Sequence, residues 1–226
     1  MTNSERATVS LATMAGTLAL VLLILALVSQ GSHQVFQINR PAADYAKLLL
    51  HRSATLKAEL GIDFIFVCVY GATFIALATT LSEWARGRGD SAFSAVFGWG
   101  GAAALVVTAL LDAIENAHIL SLLAMAEQGQ LIAQSSIATQ MAASQVKFVA
   151  SYFGLFLLSF ALPAESRVEK LLVFSLRWLQ LPLGVSIFVV PPDFVKPLSV
   201  ARAIFFVAGF WMTAYMVQAR GRRRSE

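Results

Sequence analysis

Long apolar stretches, separated by short polar or charged segments, follow one another along the chain. Six of them are long enough to cross a bilayer, because about 20 predominantly apolar residues span its hydrocarbon core as a helix. The pattern therefore predicts an all-α fold, an integral membrane six-helix transmembrane bundle that forms one domain over residues 1–226. The predicted spans are residues 8–30, 59–81, 93–125, 140–162, 171–190 and 198–217.

The segment between the first two spans, residues 31–57, is polar and contains a second, shorter pattern. Pro41 favours the start of a helix that continues to about His51, because proline fits the first helical turn. Tyr45 and Leu49 are four residues apart and share one side of that helix. We expect a short amphipathic element on the outer membrane surface.

The fifth predicted span is interrupted by Pro182 and Gly184. A proline in a helix interior removes one backbone hydrogen bond and clashes with the preceding turn. We therefore expect a kink near the middle of this span.

Composition excludes a soluble protein. The chain is 58% hydrophobic and only 13% charged, whereas soluble domains average about 25% charged residues. The net charge of +4 does not indicate a nucleic-acid partner, because the basic residues cluster at the ends of predicted spans.

Basic residues also predict the orientation. Arg86, Arg167 and the basic tail, residues 218–226, fall on the same side as the N-terminus, although the opposite side also carries Arg40 and Lys47. Since loops rich in lysine and arginine stay in the cytoplasm, the tail places both termini there. The expected location is a bacterial-type inner membrane.

One cluster of polar residues interrupts the third span, residues 93–125. Asp112, Glu115, Asn116 and His118 lie within two helical turns and spread over roughly 160° of the helix surface. A carboxylate costs about 2.5–3.5 kcal/mol near the bilayer centre, whereas a leucine or isoleucine returns only about 0.3–0.6 kcal/mol. Such a cluster predicts either a buried site or polar contacts with neighbouring helices.

Further ionisable residues are expected at the same depth. Asp63 lies early in the second span, and Lys147 and Arg202 lie early in the fourth and sixth spans. With the N-terminus inside, these three positions and the Asp112 cluster all fall in the outer half of the bilayer. The candidate ligand-binding residues are Asp63, Asp112, Glu115, Asn116, His118 and Lys147.

The leading functional hypothesis is a polytopic membrane protein with an outward-facing polar pocket that binds or passes a small cation or protonatable solute. Asp112 and Glu115 would coordinate or carry protons, with Lys147 as the counter-charge. A structural alternative remains open, in which Lys147 pairs with these carboxylates only to hold the bundle together.

Two other classes remain open. An intramembrane metal-dependent enzyme acting on a lipid or lipid-linked substrate would use His118, Glu115 and Asp63, which are weak metal candidates. No compact metal signature or phosphate loop is present in the sequence, and no cofactor is indicated. A non-catalytic subunit of a membrane complex is the third class. The expected partners are the lipid bilayer and a small cation or solute, with a second copy of the chain also open.

Overall fold

The computed structural model describes residues 1–29, 33–87, 91–189 and 192–224. These residues form helices and short turns, without a strand in the described ranges. The elements are α1 (Asn3–Val28), a 3-10 turn (His33–Gln37), α2 (Ala42–His51), α3 (Ser53–Arg86), α4 (Ser91–Glu127), α5 (Gln134–Ala161), α6 (Arg167–Phe174), a π turn (Ser175–Leu179), α7 (Gln180–Val189) and α8 (Pro192–Arg223).

Five helices in the described residues are long and apolar enough to cross a membrane. They confirm the predicted membrane class, and several of them extend beyond the predicted spans. The five are Asn3–Val28, Ser53–Arg86, Ala92–Glu127, Gln134–Ala161 and Pro197–Arg223.

The predicted fifth span, residues 171–190, is helical over its described part but divided into α6, the π turn and α7. Gln180 N–H reaches back five residues to Ser175 O, which widens the helix just before Pro182. Pro182 itself has no N–H to donate, and its carbonyl accepts a bond from Ser186 Oγ at 2.7 Å. A sixth crossing by this divided segment stays a prediction.

The long helices pack in a closed order around an interior space. α1 packs on α3, α3 on α4, and α4 on α5. The order then continues through α7 to α8, which returns to α1. Side chains on the inner faces of these helices therefore meet in one place, although their positions in sequence are far apart.

α4 and α5 approach each other especially closely at glycines. A methyl group added at Gly101 would lie 2.8 Å from Gly154 O and 2.8 Å from Leu158 N. Only a residue without a side chain permits this backbone contact. The contact aligns the two helices that carry most of the polar cluster.

Both termini lie at one end of the bundle. Thr2 Oγ1 and Ser4 Oγ donate to Glu83 Oε2 near the end of α3, at 3.1 and 2.5 Å. Arg224 follows α8, and its Nη1 lies 3.8 Å from Oε1 of Glu5 on α1. The described ends of the chain therefore lie together, while their position in the cytoplasm stays a prediction.

Within the basic tail, residues 218–226, α8 remains helical through Arg223, and the cytoplasmic position of the tail stays a prediction. Arg220 is held there by Glu165 and by Glu169, whose Oε1 lies 2.7 Å from Arg220 Nε. These ion pairs stabilise the last turns of α8 against fraying.

α2 forms where a short helix was predicted, and its apolar side faces protein. Tyr45 and Leu49 are fully buried, in a cluster that includes Ile119 and Leu123 of α4. Whether α2 also lies on a membrane surface stays a prediction.

Candidate functional site

The closed order of helices contains a cavity of about 440 Å³. Most of the side chains around it are apolar, including Leu22, Leu23 and Leu27 along α1. The ionisable residues among its lining are His33, Glu59, Asp63, Asp112, Lys147 and Arg202. Clefts of this size and mixed character are typical of small-molecule sites.

Lys147 joins the two carboxylates of the predicted cluster. Its Nζ lies 2.7 Å from Asp112 Oδ1 and 3.0 Å from Glu115 Oε2. Asp112 and Glu115 are three residues apart and so present their carboxylates on neighbouring parts of α4. Because Lys147 is only 4% exposed, this interaction is shielded from water.

Both carboxylate oxygens of Glu115 have protein partners, and the residue does not line the cavity. Its Oε1 accepts a bond from Gln37 Nε2 at 2.5 Å, and its Oε2 accepts one from Ser144 Oγ at 2.7 Å in addition to the Lys147 ion pair. The side chain is 1% exposed. Glu115 therefore positions Lys147 through their ion pair without itself reaching the cavity.

Asp112, in contrast, faces the cavity. Tyr70 OH donates to its Oδ2 at 2.6 Å, while its Oδ1 accepts from Lys147. Both oxygens are therefore oriented by protein groups, and one edge of the carboxylate remains at the cavity wall.

Asp63 is the cavity carboxylate for which the described residues provide no ion pair within 4.0 Å. Asn116 Nδ2 donates to its Oδ2 at 2.6 Å, and this neutral amide is its only side-chain hydrogen-bond partner among residues the structure describes. Among all residues that the structure describes, no lysine, arginine or histidine side chain has a nitrogen within 4.0 Å of the Asp63 carboxylate. Asp63 is buried, with only 5% of its surface exposed. Removing its negative charge from water without a counter-charge costs free energy.

Arg202, on α8, also lines the cavity and is 7% exposed. It donates to Gln34 Oε1 at 2.7 Å, and its guanidinium carbon lies 4.6 Å from the centre of the Phe148 ring. Within the described ranges no carboxylate lies within 4.0 Å of it. Both of these partners are neutral, so the described part of the chain gives Arg202 no ion pair.

Glu59 and Tyr152 each bring an unsatisfied oxygen to the cavity lining. Arg52 pairs with Glu59 Oε1 at 2.8 Å, but Glu59 Oε2 and Tyr152 OH are buried without a hydrogen-bond partner among described residues. Buried polar atoms are usually satisfied by protein or water. These two oxygens therefore offer hydrogen-bonding capacity to a molecule in the cavity.

The 3-10 turn covers one side of the site. His33 and Gln34 line the cavity, and Gln37 reaches Glu115. Tyr45 OH on α2 donates to Phe36 O at 3.2 Å, which fixes the turn to α2. Burial raises the pKa of Tyr45, and the Glu115 charge raises it further, so the phenol remains a neutral donor.

His118, like Glu115 and Asn116, is a predicted site residue that does not line the cavity. Its Nδ1 is 2.6 Å from Gln140 Oε1, on the side of α4 that faces the start of α5. The weak metal candidates His118, Glu115 and Asp63 have these separate partners. Among the described residues, no group of three or more His, Cys, Asp or Glu is placed to hold a metal ion.

Sequence reasoning did not assign Tyr70, Ser144 or Gln37 to the site. Tyr70 could have been found, because it follows Asp63 by seven residues and shares its helix face. Ser144 precedes Lys147 by three residues on α5, and the same rule applies. Gln37 lies in a turn without periodicity, so no sequence signal indicates its contact with Glu115.

Comparison with known proteins adds no relative. No family model, curated protein or solved structure matches this chain.

Proposed function

We propose that this integral membrane protein binds a small cation or protonatable solute in the central cavity and passes it across the membrane. The observation that carries the proposal is Asp63, a buried carboxylate at the cavity wall whose described partner is a neutral amide. An ionisable group within a membrane span is costly and usually marks a pathway or a ligand site. A bound cation would supply the missing counter-charge.

The neighbouring residues have separate roles in this proposal. Asp63 contacts the cation, and Asp112 offers a second carboxylate whose direction is set by Tyr70 and Lys147. Asn116 positions Asp63, and Glu115 positions Lys147. His118 has no part in the site.

The site is proposed to open toward the outer side of a bacterial inner membrane. Asp63 is the eleventh residue of α3, about 15 Å from the start of that helix. The end of α3 lies beside the N-terminus through Glu83. If the termini are cytoplasmic, the carboxylates of the cavity lie in the outer half of the bundle.

Neither alternative class is favoured by a specific contact. A metal-dependent enzyme needs a convergent set of ligands, and His118 lies with Gln140 instead. A subunit that uses its polar residues to bind a partner chain would present them outward, whereas Glu115, Asn116 and Lys147 are buried within this chain.

The test is thermal unfolding of the purified protein in a non-ionic detergent with a series of cations. Na⁺, K⁺, methylammonium and hexylammonium are added at constant ionic strength. A ligand that binds only the folded state stabilises it by RT ln(1 + [L]/Kd), about 1.4 kcal/mol at ten times Kd. We expect at least one of these cations to raise the unfolding temperature of the wild type.

The decisive variant is Asp63→Asn, which keeps the shape of the side chain and removes its charge. The cation-dependent shift should disappear in this variant and persist in Asp44→Asn, where the replaced carboxylate is exposed on α2. A shift that persists in Asp63→Asn, or the lack of a shift with every cation, would contradict the proposal. Uptake of labelled methylammonium into proteoliposomes then tests passage separately.

A further inference from the structure

Two opposite charges in the cavity have no ion pair within 4.0 Å among the residues that the structure describes. Lys147 is occupied by Asp112 and Glu115, and Glu59 is occupied by Arg52. This leaves the carboxylate of Asp63 and the guanidinium of Arg202, whose hydrogen-bond partners among the described residues are neutral. His33 also lines the cavity and interacts electrostatically with Asp63, but without an ion pair within 4.0 Å. A buried charge is favourable only when it is paired and hydrogen-bonded.

The two unpaired charges come from different walls of the cavity. Asp63 is on α3 and Arg202 is on α8, and both helices pack against α1. They do not form an ion pair with each other within 4.0 Å. A ligand that satisfies both must therefore carry a positive and a negative group at different positions.

The rest of the cavity is apolar and larger than an inorganic ion needs. Its volume of about 440 Å³ corresponds to roughly fifteen waters at about 30 Å³ each. From Ala19 to Leu27 the wall extends along α1, a distance of about 12 Å at 1.5 Å per residue. A hydrocarbon chain would cover this apolar wall. A hydrated metal ion would leave the apolar side chains of the wall exposed to water.

From these observations we infer that the ligand is a zwitterionic amphiphile, an inference that rests on the proposed cation site. Its ammonium group binds Asp63, its carboxylate or phosphate group binds Arg202, and its apolar chain lies against α1. Arg202 suits this role because a guanidinium binds carboxylate and phosphate in a bidentate manner. The free oxygens of Tyr152 and Glu59 provide further hydrogen bonds for such a ligand.

The same chemistry has two sources, a free aliphatic amino acid and a lipid with a zwitterionic head group. Isothermal titration with four probes separates them. Norleucine is a free zwitterion, and short-chain dihexanoyl phosphatidylethanolamine carries the same two charges on a lipid. Hexylammonium and hexanoate match norleucine in carbon number but carry one charge each.

We expect one zwitterionic probe to bind the full-length wild type at least tenfold more tightly than either single-charge probe. Which zwitterion binds identifies the source. Arg202→Gln should reduce zwitterion affinity to that of hexylammonium, without changing hexylammonium binding. Arg202→Lys keeps the charge and should retain part of the preference, which separates loss of charge from a folding defect.

Arg177→Gln is the matched control. Arg177 also has neutral partners, since it donates to Ser159 O at 3.0 Å and stacks on Phe160 at 4.1 Å, but it does not line the cavity. Its loss should leave the preference for zwitterions intact. If this variant abolished the preference as Arg202→Gln does, the assignment to Arg202 would be overturned.

Two sets of results distinguish a failure of the zwitterion inference from a failure of the cation site. If hexylammonium binds the wild type as tightly as both zwitterions and Arg202→Gln has no effect, the zwitterion inference is overturned and the cation site remains. If hexanoate alone binds, or Asp63→Asn leaves all affinities unchanged, the proposed cation site is overturned as well.

Discussion

Lys147 Nζ lies 2.7 Å from Asp112 Oδ1 and joins α5 to α4 inside the helical bundle. The same nitrogen lies 3.0 Å from Glu115 Oε2. One ammonium group, itself buried, therefore holds two carboxylates of α4. This relationship makes Lys147 part of the framework of the cavity and distinguishes Asp112, which is paired with it, from Asp63, which has no ion pair within 4.0 Å among the described residues.

Replacing Lys147 with methionine should destabilise the protein strongly. Removing one partner from a buried ion pair typically costs about 3–5 kcal/mol, because the remaining charges are left uncompensated. The measurement is the free energy of unfolding in mixed micelles titrated with a denaturing detergent. A second variant that adds Asp112→Asn and Glu115→Gln to Lys147→Met should recover part of the loss.

The matched control is Lys57→Met. Lys57 also forms a 2.8 Å ion pair, with Glu127, but both side chains are substantially exposed. Because exposed ion pairs contribute little, this variant should have nearly wild-type stability. Equal effects of Lys147→Met and Lys57→Met would contradict the buried network.

Adjacent glycines on α4 provide a test of the close helix packing. Gly101→Ala should destabilise by about 1–3 kcal/mol, the usual cost of overpacking, because the added methyl meets backbone atoms of Gly154 and Leu158 at 2.8 Å. Gly100→Ala should be tolerated, since its added methyl is 3.6 Å from Leu157 Cδ1 at the nearest. Thermal unfolding of both variants checks this, and a reversed order would show that α4 and α5 pack differently.

Glu169, at the end of the bundle that carries the termini, is expected to make the free energy of unfolding depend on pH. Burial alone would raise its pKa, but bonds from Arg220 and from the backbone N–H groups of Ser166 and Glu165 outweigh it and lower the pKa to about 2. A lowered pKa favours the folded state above the ordinary value of 4.5. This stability should be lost as the pH falls from about 4.5 toward about 2.

The free energy of unfolding, measured over that pH interval, should have a smaller slope in Glu169→Gln than in the wild type. Glu165→Gln is the comparison, since Glu165 pairs with the same arginine but its side chain is 63% exposed. Identical slopes for wild type and Glu169→Gln would show that Glu169 has no lowered pKa.

The sequence predicts much of the cavity lining, because helix periodicity and the free-energy cost of a charge in a membrane can both be assessed from nearby residues. Span order alone predicts one depth for Asp63, Asp112 and Lys147, and the three side chains line one cavity. His118 shows the limit of such reasoning. It belongs to the same cluster in sequence, yet its position on α4 directs it to Gln140.

The divided fifth span shows a second limit. Pro182 predicts an interruption, but the form of the interruption, a π turn at Ser175–Leu179, depends on hydrogen bonds that the sequence pattern does not encode. The contacts of Gln34 and Gln37 likewise depend on a turn, where no periodicity relates position to direction.

The central claim, that a cation occupies the cavity beside Asp63, can be tested directly with a cysteine at Ser151. Ser151 lines the cavity on α5 and is 5% exposed. The single native cysteine, Cys68, is exposed and is first replaced by serine. The modification rate of Ser151→Cys by the neutral reagent N-ethylmaleimide then reports whether the cavity is occupied.

Hexylammonium is predicted to slow this modification at least tenfold at saturation, and Asp63→Asn is predicted to abolish the protection. Asp44→Asn should retain it, because this carboxylate lies outside the cavity. Modification at the same rate with and without hexylammonium, or protection that survives Asp63→Asn, would contradict a cation site at Asp63.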